Sequence, residues 1–183
     1  MGDMPAVAVV IVGHNSAASL PGTMRALLPQ LRDGDEILVV DCGSHDGTPA
    51  VAAQQGARVL DLGENRGFAG GSVAGVAATT APLVVLLNPD AIPREGFLDT
   101  LRSAAGEHPA WGAWQALITM DGGREVNTDG NFVHWLGFGW AGGLGEPAAP
   151  IRALGPHEVA FPSGAAMAVR REAWDAVGGF EPG

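Results

Sequence analysis

Val84-Val-Leu-Leu-Asn-Pro-Asp-Ala91 sets four aliphatic residues directly against an amide, a ring and a carboxylate. An unbroken apolar run of this kind reads as a strand buried on both faces, the type found inside parallel sheets. Pro89 ends it, because proline has no N–H to continue the ladder. A turn needs only the Asn and the Pro, so Asp90, placed where the strand surfaces, calls for a different explanation. Upstream, Val7–Val12 closed by Gly13, Glu36–Val40 and the short Ala57–Leu60 have the same texture. Helical segments separate them. The first is predicted to start at Ser16 as cap, to carry Leu20, Met24, Leu27, Leu28 and Leu31, and to hold Pro21 in its first turn. The second opens with Thr48 as N-cap and Pro49 as first helical residue. The third is the small-residue stretch Phe68–Thr79. Alternation of strand and helix over about ninety residues predicts an α/β fold with a mostly parallel central sheet flanked by helices.

A helix over Arg94–Ala105 follows, with Phe97, Leu98 and Leu101 on one side. Beyond residue 110 the texture changes. Ala113–Met120 reads as a strand, Asp121–Gly123 as a turn, and the aromatic stretch Phe132–Trp140 as strands with irregular connections. Ala141–Pro156, rich in Gly, Ala and Pro, reads as a mobile loop. A strand over Ala165–Val169 leads into a helix over Arg171–Val177. No internal repeat or long linker divides the chain, so the expectation is one domain over residues 1–183.

Composition removes several function classes. The 183 residues carry a net charge of −10, which argues against a nucleic-acid-binding surface. All ten basic residues are Arg. Without Lys the chain offers no Walker A loop and no Schiff-base amine. The single Cys42 excludes an intrachain disulfide and a multi-cysteine zinc site. No stretch approaches the ~20 apolar residues of a transmembrane helix. The N-terminal run lacks the basic region and cleavage site of a signal peptide, so a cytoplasmic setting is expected.

In open parallel sheets ligands bind beyond the carboxyl ends of the strands. Those ends deliver His14-Asn15-Ser16, Asp41 to Asp46, Asn65-Arg66-Gly67 and Asn88-Pro89-Asp90. Each group alone is ordinary turn chemistry. Four together at one rim, with no basic cluster, point to a metal-assisted nucleotide or phosphate site.

VAVVIVGHNS, ILVVDCGSHDGT, ENRGFAGGSVAG and VVLLNPDA, in this order, with the later SGAAMAVRREAWDAVGGFEPG, resemble glycosyltransferase family 2, and within it the bacterial rhamnosyltransferase-like members. The resemblance covers nearly the whole chain. It implies a GT-A fold, with about residues 1–108 as the nucleotide-sugar-binding half and about 109–183 as an incomplete acceptor-side half. It implies a dTDP- or UDP-linked sugar donor, a saccharide or lipid-linked acceptor, and a divalent cation, Mn²⁺ or Mg²⁺. Peripheral association with the inner face of a membrane fits such an acceptor. Residue by residue, the resemblance puts His14, Asn15, Asp41, Ser44, Asp46, Asn65, Arg66, Gly67 and Asn88 on the nucleotide sugar. Asp90 becomes the metal ligand, and Ser163, Gly164 and Ala165 the acceptor-side wall. Asn88 departs from the acidic first position of the family's Asp-X-Asp element and supplies no charge there.

Inverting sugar transfer needs a general base for the acceptor hydroxyl. In the family it is an acidic residue shortly after a Gly-Gly-Phe element. Here that element is Gly178-Gly179-Phe180, so the base is expected beyond Gly183, and a chain truncated there is expected to bind donor without efficient turnover. Two alternatives remain at this level: a sugar-1-phosphate nucleotidyltransferase, and a non-catalytic sugar- or nucleotide-binding module. Gly143-Leu-Gly-Glu-Pro-Ala148 has the lettering of a dinucleotide fingerprint, but it lies in a Pro-containing loop and is discounted.

Overall fold

The computed structural model describes residues 5–152 and 155–181. β1 (Val7–Gly13), β2 (Glu36–Asp41), β3 (Arg58–Asp61) and β4 (Leu83–Leu87) run parallel. β5 (Ala113–Gln115) and β10 (Ala166–Arg170) complete the sheet, whose order is β3-β2-β1-β4-β10-β5. β10 lies antiparallel to both of its neighbours. Register places Gly13 opposite Asp41, Asp41 opposite Asp61, and Ile11 opposite Leu87. The four parallel strands therefore end on one edge, and the connections reverse direction between β1 and β4.

Helices cover both faces, so alternate residues of each strand enter different cores. Val9, Ile11, Val39 and Val85 pack with α1 (Leu20–Leu27), α2 (Thr48–Gln54) and α4 (Phe97–Glu107). Val10, Leu38, Val40 and Val84 pack with α3 (Gly67–Ala77) and α6 (Arg171–Val177). α3 meets the sheet through glycine. A Cβ on Gly71 would stand 2.5 Å from Val12 Cγ1 and 3.1 Å from Cys42 Sγ, and one on Gly75 would overlap Val10 and Val40. The small-residue composition of this helix is thus a close-packing requirement.

Arginine ties the elements together. Arg102 of α4, only 1% exposed, forms an ion pair with the equally buried Asp35 ahead of β2, and bonds Asp99 at 2.8 Å. Asp35 in turn accepts the Val7 N–H of β1 at 2.8 Å. Arg170 Nε donates to the carbonyl of Trp111 at 2.9 Å and Arg171 Nε to that of Ala81 at 2.8 Å, closing the chain segments that follow α4 and α3. Arg171 also reaches Val76 O at 3.2 Å near the C-terminus of α3, a carbonyl that accepts from the Thr79 N–H and hydroxyl as well.

Several boundaries differ from the sequence expectation. α1 begins at Leu20 with Ser19 at the cap position, because the Ser16 carbonyl is used in a preceding turn and the Ser16 N–H goes to Thr48 Oγ1 at 2.8 Å. Pro29 lies in a following 3₁₀ turn, Leu28–Gln30. Thr48 is inside α2 and not its cap. Gly47 takes the cap position with φ 88°, and the Asp46 carboxylate receives the Thr48 N–H. α4 starts at Phe97 rather than Arg94, since Gly96 at φ 77° breaks helical continuity.

The expected strand Ala113–Met120 is two strands. The chain leaves the main sheet after Gln115, and β6 (Ile118–Met120) pairs instead with β7 (Glu125–Thr128). The aromatic stretch forms a hairpin of β8 (Asn131–Val133) and β9 (Gly139–Ala141). Ala141–Pro156 is more structured than a mobile loop. It holds the short α5 (Ala148–Arg152), whose Ala148 is buried and donates its N–H to Arg124 O at 2.8 Å. Residues 153 and 154 of that stretch lie outside the described residues.

Candidate functional site

The rim is built by loops that bind one another. After β1, Asn15 turns the chain with φ 52°, a left-handed conformation that Asn tolerates better than most residues. Its N–H goes to Ser44 Oγ and its side-chain oxygen accepts from the His45 N–H, each at 2.9 Å. The His14 ring bonds the Cys42 carbonyl at 2.7 Å and faces the Asn15 amide at 3.2 Å. The expected residues His14, Asn15, Asp41, Ser44 and Asp46 are therefore one hydrogen-bonded unit at the ends of β1 and β2.

Within this unit the two carboxylates differ. Asp46 is exposed, yet both its oxygens are used. Oδ1 accepts from Thr48 Oγ1 at 2.6 Å and Thr48 N at 3.0 Å, and Oδ2 from Ala17 N at 2.9 Å. The Thr48 hydroxyl bond is the main cause holding its pKa below the usual Asp value, with the two backbone bonds adding to it. Asp46 fastens the β1–α1 loop to the start of α2. Asp41 is buried, with Oδ2 accepting the Ser44 N–H at 3.0 Å, while Oδ1 has no protein partner. A buried acceptor left unpaired costs about 1–3 kcal/mol, so this oxygen calls for a donor. Cys42 beside it is a buried thiol whose pKa burial pushes up, which makes it unreactive.

The third loop closes over the second. A Cβ on Gly43 would sit 3.1 Å from the Glu64 backbone, and Leu62 N donates to Asp41 O at 3.0 Å. Asn65 Oδ1 accepts the Gly67 N–H at 2.9 Å at the mouth of α3. Arg66 pairs with Glu64 at 2.9 Å, both exposed. Exposed pairs of this kind hold by only about 0–1 kcal/mol, so the guanidinium can be drawn to an anion at little cost.

Asn88 and Asp90 follow β4. Asn88 N donates to Ala165 O at 3.0 Å, and the Pro89 carbonyl accepts from Thr23 Oγ1 at 2.9 Å, so the backbone here is fixed from both sides. The Asp90 side chain is exposed and, among the described residues, has no hydrogen-bond or ion-pair partner. It caps nothing, because α4 does not begin until Phe97. Among the described residues no three His, Cys, Asp or Glu side chains gather as a metal site. The donor set at Asp90 fits a hard cation that takes its other ligands from a diphosphate and water.

A cavity of about 1400 Å³ opens beside Asp90 and Asn88 and extends between α4 and the β5–β6 segment, with Asp129 and His157 in its far wall. His14, Asn15, Asp41, Ser44 and Asp46 lie outside it. Of the expected acceptor-side residues, Ala165 lines it, whereas the space beside Gly164 is filled by the Phe68 ring. Gln115 organises this wall. Its Oε1 accepts from Ser163 N at 2.6 Å and from Asn131 Nδ2 at 3.1 Å. A lone Gln in a short strand gave no signal of that role. Asp129 Oδ1 is a second buried, unpartnered carboxylate oxygen.

The sequence profile of glycosyl transferase family 2 matches residues 8–178. The chain belongs to that family. It is similar to the N-acetylglucosaminyl-diphospho-decaprenol L-rhamnosyltransferase of Mycobacterium tuberculosis, with 32% identity over 196 residues that cover 94% of this chain and 64% of the relative. It thus spans just under two thirds of that relative's length. Among solved structures, a mannosyltransferase from Pyrobaculum calidifontis in complex with GDP-Man and Mn²⁺ superposes with a TM-score of 0.68 at 20% identity, covering 97% of this chain and 48% of the other. The glucosyl-3-phosphoglycerate synthase of M. tuberculosis, in complex with Mn²⁺, UDP-glucose and phosphoglyceric acid, gives 0.53 at 25% identity, covering 61% and 43%. The fold of this family 2 glycosyltransferase chain is GT-A, with the largely parallel sheet and flanking helices read from its sequence.

Proposed function

We propose that this chain carries the donor-binding side of an inverting, cation-dependent glycosyltransferase that moves a sugar from a dTDP- or UDP-linked donor to a saccharide or lipid-linked acceptor. The observation that carries this reading is Asp41, a buried carboxylate with one unpaired oxygen at the end of β2, beside the point where the sheet order reverses. A pyrimidine N–H or a ribose hydroxyl is the donor that oxygen lacks. His14, Asn15 and Ser44 shape the loop around it, and Asp46 positions that loop by its internal bonds. Asn65, Arg66 and Gly67 form the opposite lip, with Arg66 free to turn from Glu64 toward a diphosphate. Asp90 would hold the cation, and Asn88 would hydrogen-bond ribose or a water. A bound Mn²⁺ or Mg²⁺ supplies Lewis-acid stabilisation of charge on the departing diphosphate. The acceptor takes the large cavity beside Asp90, where Ala165, alone of the three expected acceptor-side residues Ser163, Gly164 and Ala165, forms part of the lining. The diphospho-decaprenol substrate in the relative's name supports a lipid-linked acceptor. The general base expected after Gly178-Gly179-Phe180 lies outside the described residues.

Titration calorimetry with UDP, dTDP and GDP, with and without Mn²⁺, tests this. A pyrimidine nucleoside diphosphate is expected to bind, more tightly with Mn²⁺. Asp41→Asn keeps the shape but turns an amide donor toward the ligand, and is expected to weaken binding at least about tenfold, the worth of one charge-assisted hydrogen bond. Asp90→Ala is expected to leave metal-free binding intact and abolish the Mn²⁺ enhancement. Silence with all three nucleotides in both conditions would overturn the proposal.

A further inference from the structure

The β8–β9 hairpin has an unusual surface. Phe132 stands opposite Trp140 with their rings 6.0 Å apart, and Gly139, opposite Val133, is covered by Phe161. His134 N donates to Phe138 O and Gly137 N to His134 O, each at 2.7 Å, so the tip is an ordered turn. That turn holds its largest side chains outward: Trp135 is 84% exposed and Phe138 68%, with Leu136, Val133 and Trp140 also exposed. From Gly130 to Gly145 the chain has no Asp, Glu or Arg, although its net charge is −10. Contiguous apolar surface on this scale marks an interaction site.

We infer that this hairpin enters the headgroup region of a lipid bilayer and seats the molecule on the membrane, with the acceptor cavity at its base. The hairpin is uncharged, so no ion has to be stripped of water on entry, and Trp and Phe are the side chains that favour the bilayer interface. The tip is convex, and none of its residues lines the cavity. A ring that stacks on a bound sugar would instead face the site. A protein-binding surface would carry Arg anchors and a polar rim, which this segment lacks. The hairpin also continues from the cavity. Asp129 lines the cavity wall immediately before β8, and the Asn131 side chain bonds Phe161 O at 3.0 Å and Gln115. Delivery of a lipid-linked acceptor along this path rests on the acceptor reading above; attachment to the bilayer does not.

The test is flotation of the chain with phosphatidylcholine vesicles, alongside Trp quenching by brominated phosphatidylcholine. The wild type is expected to float with neutral vesicles, with little effect of added salt, and less well with phosphatidylglycerol vesicles because of its negative charge. The variant W135S/L136S/F138S is expected to lose vesicle binding at least about tenfold while keeping the far-UV spectrum and any nucleotide binding, since its tip packs on nothing else. The inference is overturned if the wild type ignores vesicles, or if the variant floats equally well. It is also overturned if the substitutions instead dissolve a wild-type dimer that binds no lipid. Nucleotide calorimetry reads the donor-site proposal separately, so either idea can fail alone.

Discussion

Asp46 and Asp41 are five positions apart in one loop, and the environment gives them different work. Asp46 receives three hydrogen bonds from Thr48 and Ala17, and its pKa is lowered chiefly by the Thr48 hydroxyl. A carboxyl whose folded pKa is depressed adds stability that is complete above its unfolded pKa, near 4, and is lost as pH falls toward the folded value. Asp46→Asn replaces one acceptor by an amide facing the Ala17 N–H. The variant is expected to melt below the wild type at neutral pH, and the gap is expected to shrink in acid, below the ordinary Asp value of about 4, as the wild-type carboxylate protonates. Melting curves at neutral pH and in acid check it, and a gap of constant size would show that the carboxylate charge is not what holds the loop. The residue types at this rim were readable from their places at strand ends. Their division of labour was not, because nothing local says that Thr48 would point at Asp46 and leave Asp41 Oδ1 unpaired.

At the scale of elements, α3 shows how packing overrules propensity. Glycine inside a helix costs about 0.5–1 kcal/mol relative to Ala, so Gly75→Ala in isolation would stabilise. Here the added methyl would overlap Val10 and Val40 of the sheet, and overpacking of that kind costs about 1–3 kcal/mol. Gly75→Ala is expected to lower the urea midpoint. Gly106→Ala, in α4 where nothing stands within 4 Å of the new Cβ, is expected to raise it, by less than the full propensity because the position is near the helix end. Opposite signs in the two urea titrations are the result to look for; two gains would mean that α3 can move away from the sheet. The strands β1, β2 and β4 and the helix α6 were readable from continuous apolar runs and 3.6-residue spacing. The strands β5, β6, β8 and β9, three residues each, are too short to carry such a period. β5 pairs with β10 far along the chain, and Gln115 bonds Asn131 and Ser163, whereas β6 pairs with the adjacent β7; this is why Ala113–Met120 read as one strand and folded as two.

The same contrast runs through the whole molecule. β1 is bonded on both sides, by β2 and β4, has helices on both faces, and is buried almost throughout. The Arg102–Asp35 ion pair, almost wholly shielded from water, ties α4 to the segment between β1 and β2, and the Asp35 bond to Val7 secures the sheet itself. Losing either partner would strand a buried charge, at about 3–5 kcal/mol, so this region should open only with the whole fold. The β8–β9 hairpin is joined to the main body chiefly through Asn131 and Phe161 and exposes most of its side chains. Proteins open locally wherever few buried apolar contacts oppose it. Native-state amide exchange is therefore expected to rank β1 and β4 slowest, at the rate of global unfolding, and residues 131–141 fastest among the paired strands. Nucleotide should slow the amides of the Asn15 and Ser44 loops and leave the hairpin unchanged, whereas phosphatidylcholine vesicles should do the reverse. A hairpin as well protected as β1 in the free chain would mean that its apolar side chains are already covered in solution, and a single ligand that slowed both regions would mean that the rim and the hairpin open as one unit.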